Sequence, residues 1–407
     1  MHNEASKKQG GAIMSLLKQK TYQPLTNESA VELALELNIF PGHAKLSCME
    51  IGDGNLNLVF HIVEELKGKS IIIKQALPYA KVVGESWPLT LKRAKIEADA
   101  LKIFGQIAPE YVPEVLFTDD VLAVTIMEDL SHLLIARTGF IKGESYPLIA
   151  KHLGEYLAKT LFYTSDYGLG PGVKKERVQQ FINPELCKIT EDLIFTDPFM
   201  DADTNEFEDS LRPAVEALWH DEELKFHVNV LKKSFLTEAE ALLHGDLHTG
   251  SVFASNSETK VIDPEFAFYG PAGFDIGQVF ANLLFQVIVN EEKRDLFINH
   301  IETVWNVFEE QYTFLWNTEN KEIAVKTSTF LNYQISKFFG DTLGFAGCEL
   351  IRRTIGLAHV ADLDGIEDEQ TRITAKQKTI ELGKILIKQR NEIKDLTSFI
   401  ATIKERI

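Results

Sequence analysis

Cysteine is scarce in this 407-residue chain. Cys48, Cys187 and Cys348 are odd in number and form no C-x-x-C pair, which argues against a disulfide framework and a structural zinc site. A reducing cytoplasm is the expected setting. Basic charge is also in deficit: 42 Lys and Arg face 60 Asp and Glu, a formal charge of −18. Such a field repels nucleic acid and anionic membranes at long range, so neither is expected as a partner, and an anionic substrate would need a local basic or metal-lined pocket. Long apolar runs are missing too. The best candidate, Phe274 to Val289, is broken by Asp275, Gln278 and Asn282 and falls short of the roughly 20 apolar residues of a membrane span. Lys7 and Lys8 are followed only by the stretch Ala12 to Leu17, too little for a signal peptide. The chain shows no internal repeat and no low-complexity segment, and a soluble protein is expected.

What is present suffices for a full core. With 45% hydrophobic and 25% charged residues, a chain of this length should divide into two lobes or domains. Residues 1–22 read as a loose tail, and Asn27 or Ser29 can cap a first helix. Short β-type runs follow at Leu46 to Ile51, Leu56 to Val63 and Ser70 to Leu77, separated by turns at Gly52-Asp53-Gly54 and Lys67-Gly68-Lys69. A helical stretch from Thr90 through Phe104 comes next, then strands at Glu114 to Thr118 and Val121 to Met127. These make a small β-rich lobe over 23–128. From 129 to 407 the pattern is helical, with helices expected near 146–163, 205–243, 271–290, 293–316, 322–339, 341–361 and 371–394. One small hairpin, Val252 to Ala254 and Lys260 to Ile262, interrupts it. The whole is α+β, with the outline of a protein-kinase-like fold.

The densest chemistry lies around that hairpin, in His244-Gly245-Asp246-Leu247-His248-Thr249-Gly250-Ser251 and in Asp263-Pro264-Glu265. Phosphoryl transfer needs one carboxylate to orient or deprotonate the attacking hydroxyl, and hard oxygen ligands for Mg²⁺ on the ATP phosphates. Asp246 suits the first task, Asp263 and Glu265 the second. Taken alone, His-x-Asp-x-His equally suits a metal cluster or a polar turn. Context favours the kinase reading, because the upstream β-lobe holds a candidate phosphate anchor. Lys74 interrupts the apolar strand Ile71-Ile72-Ile73, although a strand lysine by itself is usually a solvated edge residue. The turn before it, Gly52 to Asn57, can fold over phosphates or serve as an ordinary hairpin turn. Glu97 is the candidate ion-pair partner of Lys74, with Glu28, Glu32 and Glu85 as competitors. Glu128-Asp129-Leu130 falls at the join of the lobes, where its backbone can meet an adenine edge while its side chains stay solvated.

These residues resemble the choline-kinase and aminoglycoside-phosphotransferase branch of kinase-like enzymes, and within it the 5-methylthioribose kinases. The likeness runs over nearly the whole chain after Tyr22. It is strongest in Gly52 to Phe60, Lys81 to Thr90, Val261 to Pro271 and Gly344 to Thr354. The resemblance implies a small β-rich N-terminal lobe and a larger helical C-terminal lobe, ATP and Mg²⁺ as requirements, and a homodimer. The implied reaction moves the γ-phosphoryl group to the anomeric hydroxyl of 5-methylthioribose, in methionine salvage. It places Asn57, Lys74, Glu128, Asp129, Leu130, Asp263, Pro264 and Glu265 at ATP, with Asp263 and Glu265 on the metal. Asp246 becomes the catalytic base and, with Arg352 and Arg353, part of the sugar site. By chemistry alone the arginine pair suits sugar hydroxyls or a moving phosphate better than a cationic acceptor, and equally suits a surface salt bridge. Lys81 to Thr90, with Trp87 and Pro88, can form a flap. Two departures stand out: Ser251 replaces a metal-binding Asn of many relatives, and Pro264-Glu265 replaces Phe-Gly. A kinase for another alcohol or amine is the runner-up. A silent nucleotide-binding protein is disfavoured, since Lys74, Asp246, Asp263 and Glu265 are all retained.

Overall fold

A computed structural model describes residues 21–51, 56–80 and 84–407 of the chain. The turn at 52–55 and residues 81–83 of the flap stretch therefore lie outside the described residues, as does most of the expected tail. Two compact units are present, one formed by the described residues up to Gly105 with Val112–His132, the other by Gln106–Tyr111 with Leu133–Ile407. The first is built on an antiparallel sheet and the second mostly on helices, an α+β fold.

In the first unit, helix α1 (Asn27–Glu36) is capped by Thr26, whose side chain accepts from the Ser29 amide while Ser29 reciprocates toward the Thr26 amide. That reciprocal pair, rather than Asn27 or Ser29 acting alone, starts the helix. Strands β1 (Leu46–Glu50), β2 (Asn57–Glu64) and β3 (Ser70–Ala76) follow, then the short pair β4 (Tyr79–Ala80) and β5 (Gly84–Pro88). Helix α2 (Lys92–Ile107) precedes β6 (Val115–Asp119) and β7 (Val124–Glu128), and the main sheet runs β1-β2-β3-β7-β6. Alternation fixes the faces: Phe60, Ile62, Ile71, Ile73, Val124 and Ile126 point into one core with Leu33 and Phe40. Lys74 falls on the opposite phase of β3, level with Val59 on β2 and Thr125 on β7. Gln75 is buried on the core phase. It accepts from the Leu25 amide at 2.7 Å and donates to the Gln23 and Leu122 carbonyls at 2.9 Å each, fastening the segment before α1 to the sheet.

The second unit opens with β8 (Leu134–Ile135) and helices α3 (Ala136–Ile141), α4 (Ile149–Tyr163), α5 (Pro171–Gln180) and α6 (Pro184–Phe195). The single helix expected over 205–243 is instead α7 (Arg212–Trp219), α8 (Glu222–Thr237) and strand β9 (Ala241–Leu243). Asp221 starts α8 by accepting from the Leu224 amide, and Glu238 is already extended. Strands β10 (Val252–Ala254) and β11 (Thr259–Val261) form the small hairpin, which β8 extends, and β12 (Phe268–Gly270) pairs with β9.

Helices α9 (Gly273–Val289), α10 (Arg294–Glu319), α11 (Ser328–Ile355), α12 (Glu369–Gln389) and α13 (Leu396–Arg406) complete the unit. The two helices expected over 322–361 are one, α11, which runs through Gly340, Gly344 and Gly347 without a break. Close crossings explain Gly344 and Gly347 better than a helix end does. A β-carbon at Gly347 would lie 2.6 Å from the Gly383 carbonyl oxygen of α12 and 2.7 Å from the Ile387 side chain. Among the described residues, no helix is long and apolar enough to cross a membrane.

Since the obstruction at Gly347 is mainly backbone, it cannot rotate away. Gly347→Ala is predicted to lower the unfolding free energy by about 1–3 kcal/mol through overpacking. Denaturant titration of parent and variant would show it, and an unchanged midpoint would refute the close crossing.

Candidate active site

The first unit supplies a lysine with a fixed partner. Lys74 projects from β3, paired on both sides, and its Nζ lies 2.8 Å from Glu97 Oε1 of α2, both side chains being almost wholly enclosed. Of the candidates, Glu97 is brought to this lysine, while the side chain of Glu85 lies outside the described residues. Asn57, at the start of β2, is buried and accepts from Arg93 Nη2 at 3.2 Å. Arg93, itself fully enclosed, also donates to the Leu77 and Leu56 carbonyls, so α2 and the strand ends around Lys74 share one anchor.

At the end of β7, Glu128 accepts from the Glu114 amide and Leu130 is buried. The expectation that these side chains stay solvated fails for Asp129. Its carboxylate accepts from Ser70 Oγ at 2.6 Å and the Ser131 amide at 2.9 Å, and lies 3.0 Å from His61 Nε2. Burial works to raise its pKa, but these hydrogen bonds outweigh burial and hold it below the usual range.

The second unit gathers the acid and the arginines. The loop after β9 turns at Gly245, where φ is +85° and a β-carbon would run into the Phe266 carbonyl oxygen, so no larger residue fits. Asp275, fully buried on α9, accepts from the amides of His244 and Gly245 at 2.7 and 3.0 Å. His244 stands 2.8 Å from the Ile262 carbonyl through Nε2 and accepts from the Asp246 amide through Nδ1, which assigns it the neutral Nε2–H form. Ser251 Oγ accepts from the His248 amide at 3.1 Å and sits 3.1 and 2.8 Å from the Asp246 and His248 carbonyls. Its hydroxyl thus closes the loop on itself.

Asp246 Oδ1 then faces two guanidiniums, Arg352 Nη2 at 3.4 Å and Arg353 Nη2 at 3.3 Å. Both arginines come from the last turn of α11 and are clamped by Glu349, fully buried one turn earlier, at 2.6 Å (Arg352 Nε) and 2.7 Å (Arg353 Nε). In the amide orientation that satisfies both of its polar atoms, Gln278 donates to Glu349 at 3.0 and 3.3 Å. Asp246 Oδ2 lies 3.4 Å from His248 Nε2.

Burial tends to raise the pKa of Asp246, yet His248, Arg353 and Arg352 more than offset it, holding the carboxyl well below its usual range. His248 is pushed down, first by its own burial. The arginines, which do not lose their protons, keep Asp246 ionised.

Asp263 follows β11 by two residues with φ +72°, an uncommon conformation for a non-glycine residue and one that functional sites often hold. Glu265 is buried, and its carbonyl, like that of Ala267, accepts from Asn183 Nδ2. Two hard carboxylates on one short segment fit Mg²⁺, which ordinarily takes one or two protein carboxylates and completes its shell with phosphate oxygens and water.

Sequence reasoning passed over Asp275, Gln278 and Asn282 except as breaks in an apolar run, and passed over Arg137, Glu349 and Asp362 as individuals. The breaks were the available signal. Positions 275, 278, 282 and 286 recur on one side of α9, every one of them buried, and each meets a partner at or beside the loop. Arg137 carried no local signal, because its neighbours come from α9 and from beyond α11.

The model of the phosphotransferase enzyme family matches residues 47–301. A methylthioribose kinase of Geobacillus sp. (strain WCH70) is 57% identical over 384 residues, 93% of this chain and 96% of that protein. A methylthioribose kinase of Bacillus cereus (strain G9842) is 54% identical over 387 residues, 95% of this chain and 98% of that one. Among solved structures, a choline kinase from Cryptosporidium parvum Iowa II is similar with a TM-score of 0.49 at 14% identity, over 89% of this chain and 97% of that one. Identity above one half over nearly the full length of both proteins makes this chain a member of the methylthioribose kinase family, within the phosphotransferase enzyme family.

Proposed function

We propose that this chain is an ATP-dependent, Mg²⁺-requiring kinase that transfers the γ-phosphoryl group to the anomeric hydroxyl of 5-methylthioribose, giving the 1-phosphate. The observation that carries the reading is the ionised Asp246 carboxylate under two guanidiniums that a buried Glu349 holds in place. A neutral sugar brings the hydroxyl. Asp246 accepts its hydrogen bond and turns an oxygen lone pair toward phosphorus. As the O–P bond forms and the bond to the β-phosphate oxygen breaks, the hydroxyl proton passes to Asp246 and leaves later with solvent or product. Arg352 and Arg353 present planar donors where charge accumulates on the moving phosphoryl group, a role that Lys, with a point charge, fills less well.

On the nucleotide side, Lys74 held by Glu97 is suited to the phosphates, and Asn57 with the Glu128 to Leu130 segment to the rest of ATP. Asp263 and Glu265 would hold Mg²⁺, which supplies positive charge on the β- and γ-phosphate oxygens.

Purified protein with ATP and Mg²⁺ should release ADP with 5-methylthioribose and far less with ribose, choline, homoserine or an aminoglycoside. Phosphorus-carbon coupling in the product spectrum should place the phosphate on the anomeric oxygen; coupling to another ring carbon would reject the regiochemistry.

Removing the base while keeping its size separates turnover from binding. Asp246→Asn should lower kcat by about 10² to 10⁴-fold, with a modest change in calorimetric sugar affinity. Lys74→Ala should instead weaken use of ATP with sugar binding intact. A folded Asp246→Asn enzyme at parental rate would end the mechanism.

The arginines should also leave a pH signature. A depressed carboxyl pKa means Asp246 is ionised above that depressed value and becomes protonated only as pH falls through it. Arg353→Met removes one lowering charge, so the acid limb of kcat should move to higher pH, and Arg353→Lys should restore the limb better than the rate. An acid limb unmoved in Arg353→Met would show that the pair does not govern Asp246.

A further inference from the structure

A third arginine approaches the same loop. Arg137, on α3, comes from an element that the two-residue strand β8 ties to the catalytic hairpin, Ile135 pairing with Phe253. Its Nη2 donates to Asn282 Oδ1 at 2.8 Å, and its Nε is 3.2 Å from Asp362 Oδ2. Both anchors are themselves fixed. Asn282 Oδ1 also receives Thr249 Oγ1 at 3.2 Å while its amide donates to the Gln278 carbonyl, and Asp362 Oδ1 receives Gln286 Nε2 at 2.6 Å. The remaining nitrogen, Nη1, donates to none of the described residues. It points at the catalytic loop: Arg137 Nη1 and His248 Cε1 both lie within 3.0 Å of the place a β-carbon would occupy at Gly250. His248 in turn faces Asp246.

We propose that Arg137 is a third guanidinium of the transfer site and that its open edge binds the transferred phosphoryl group in the product, in preference to the neutral sugar. The inference rests on the reading that this site phosphorylates a sugar hydroxyl. The charge inventory points to the product. Glu349 is engaged by two arginines and Asp362 by the third, leaving Asp246 as the anion that faces the reacting group. An uncharged sugar gives a third cation nothing to neutralise. After transfer the acceptor carries a phosphate and Asp246 has taken a proton, so local negative charge has moved from the protein to the ligand. A pre-oriented guanidinium with one free edge is matched to phosphate oxygens, by charge and by its planar donors. The glycine at 250 keeps that edge uncovered, since a larger residue would be driven against both Arg137 and His248.

Calorimetry on the full chain tests this with three probes: 5-methylthioribose, its 1-phosphate, and ADP with Mg²⁺. Arg137→Gln should weaken the 1-phosphate by about tenfold or more, the scale of one lost charge-assisted hydrogen bond. Its affinities for sugar and ADP should stay within about threefold of the parent, the ordinary spread for a contact not made. Product inhibition should weaken in parallel. Equal weakening of sugar and 1-phosphate, or an unchanged 1-phosphate affinity, overturns the proposal while leaving the kinase reading intact. A parent that bound neither sugar nor 1-phosphate would overturn both. Should Arg137→Gln fail to fold, Arg137→Lys decides: it keeps the charge without the fork and should lose part of the 1-phosphate affinity with sugar affinity held, and equal affinities for the 1-phosphate in parent and Lys variant overturn the inference.

Discussion

A helix enclosed on every side can carry polar side chains only if each finds a partner, since an unpaired buried polar group costs about 1–3 kcal/mol. Helix α9 carries four, and this constraint organises the second unit. Asp275 must accept, and takes the two amides at the Gly245 turn; Gln278 must donate, and reaches Glu349; Asn282 joins Thr249 to Arg137; Gln286 holds Asp362. The loop around Asp246, the end of α11 and the segment beyond it are thus referenced to one rigid element. Each bond satisfies a buried group on α9 and places a group on the loop, on α11 or beyond it, so the folding requirement and the positioning requirement coincide.

The arginine pair shows why positioning matters. Two guanidiniums beside one carboxylate would ordinarily collapse into short bidentate contacts. Here Glu349 takes the Nε edges at 2.6 and 2.7 Å, leaving contacts of 3.3 and 3.4 Å to Asp246. The shorter bonds go to the fully buried Glu349. Asp246 keeps part of its surface open, with its side chain 27% exposed against 0% for Glu349. Its carboxylate can therefore exchange a long ion pair for a hydroxyl without a buried charge being stranded.

Much of this was legible in the order of elements along the chain. The strand that carries Lys74 was readable because β-type composition is a local property, and β3 forms there; that it is paired on both sides and not an edge depends on β2 and β7. The loop around Asp246 and the hairpin after it announce themselves by composition for the same reason. What stayed hidden is what depends on distant contacts. The continuity of α11 across Gly344 and Gly347 goes with neighbouring helices that crowd both positions, a β-carbon at Gly344 lying 2.8 Å from Leu231, so helix-breaking composition there marked a packing seam. The strand at Ala241–Leu243 forms because β12 lies beside it. Asp129 looked solvent-facing from its neighbours in sequence, and its partners His61 and Ser70 lie more than fifty residues away.

For the role of base proposed for Asp246, a carboxylate held so far below its ordinary pKa looks at first like a poor choice. The nature of phosphoryl transfer resolves this. When the transition state is loose, the attacking hydroxyl has gained little bonding to phosphorus and has barely acidified, so early proton removal contributes little, and alignment with charge stabilisation contributes most. A permanently ionised acceptor is then better than a stronger base that is partly protonated at working pH, because every molecule presents an oxygen to the hydroxyl. On that mechanism, the same cations that depress Asp246 would face the place where negative charge grows as the phosphoryl group arrives. On the proposed mechanism, a proton reaching Asp246 would weaken its attraction to the guanidiniums, and their field would pass to the new phosphate. In the proposed reaction the arrangement would act as a charge exchanger: the arginines, held by Glu349 at 2.6 and 2.7 Å, would pair with Asp246 before transfer and with the product after it.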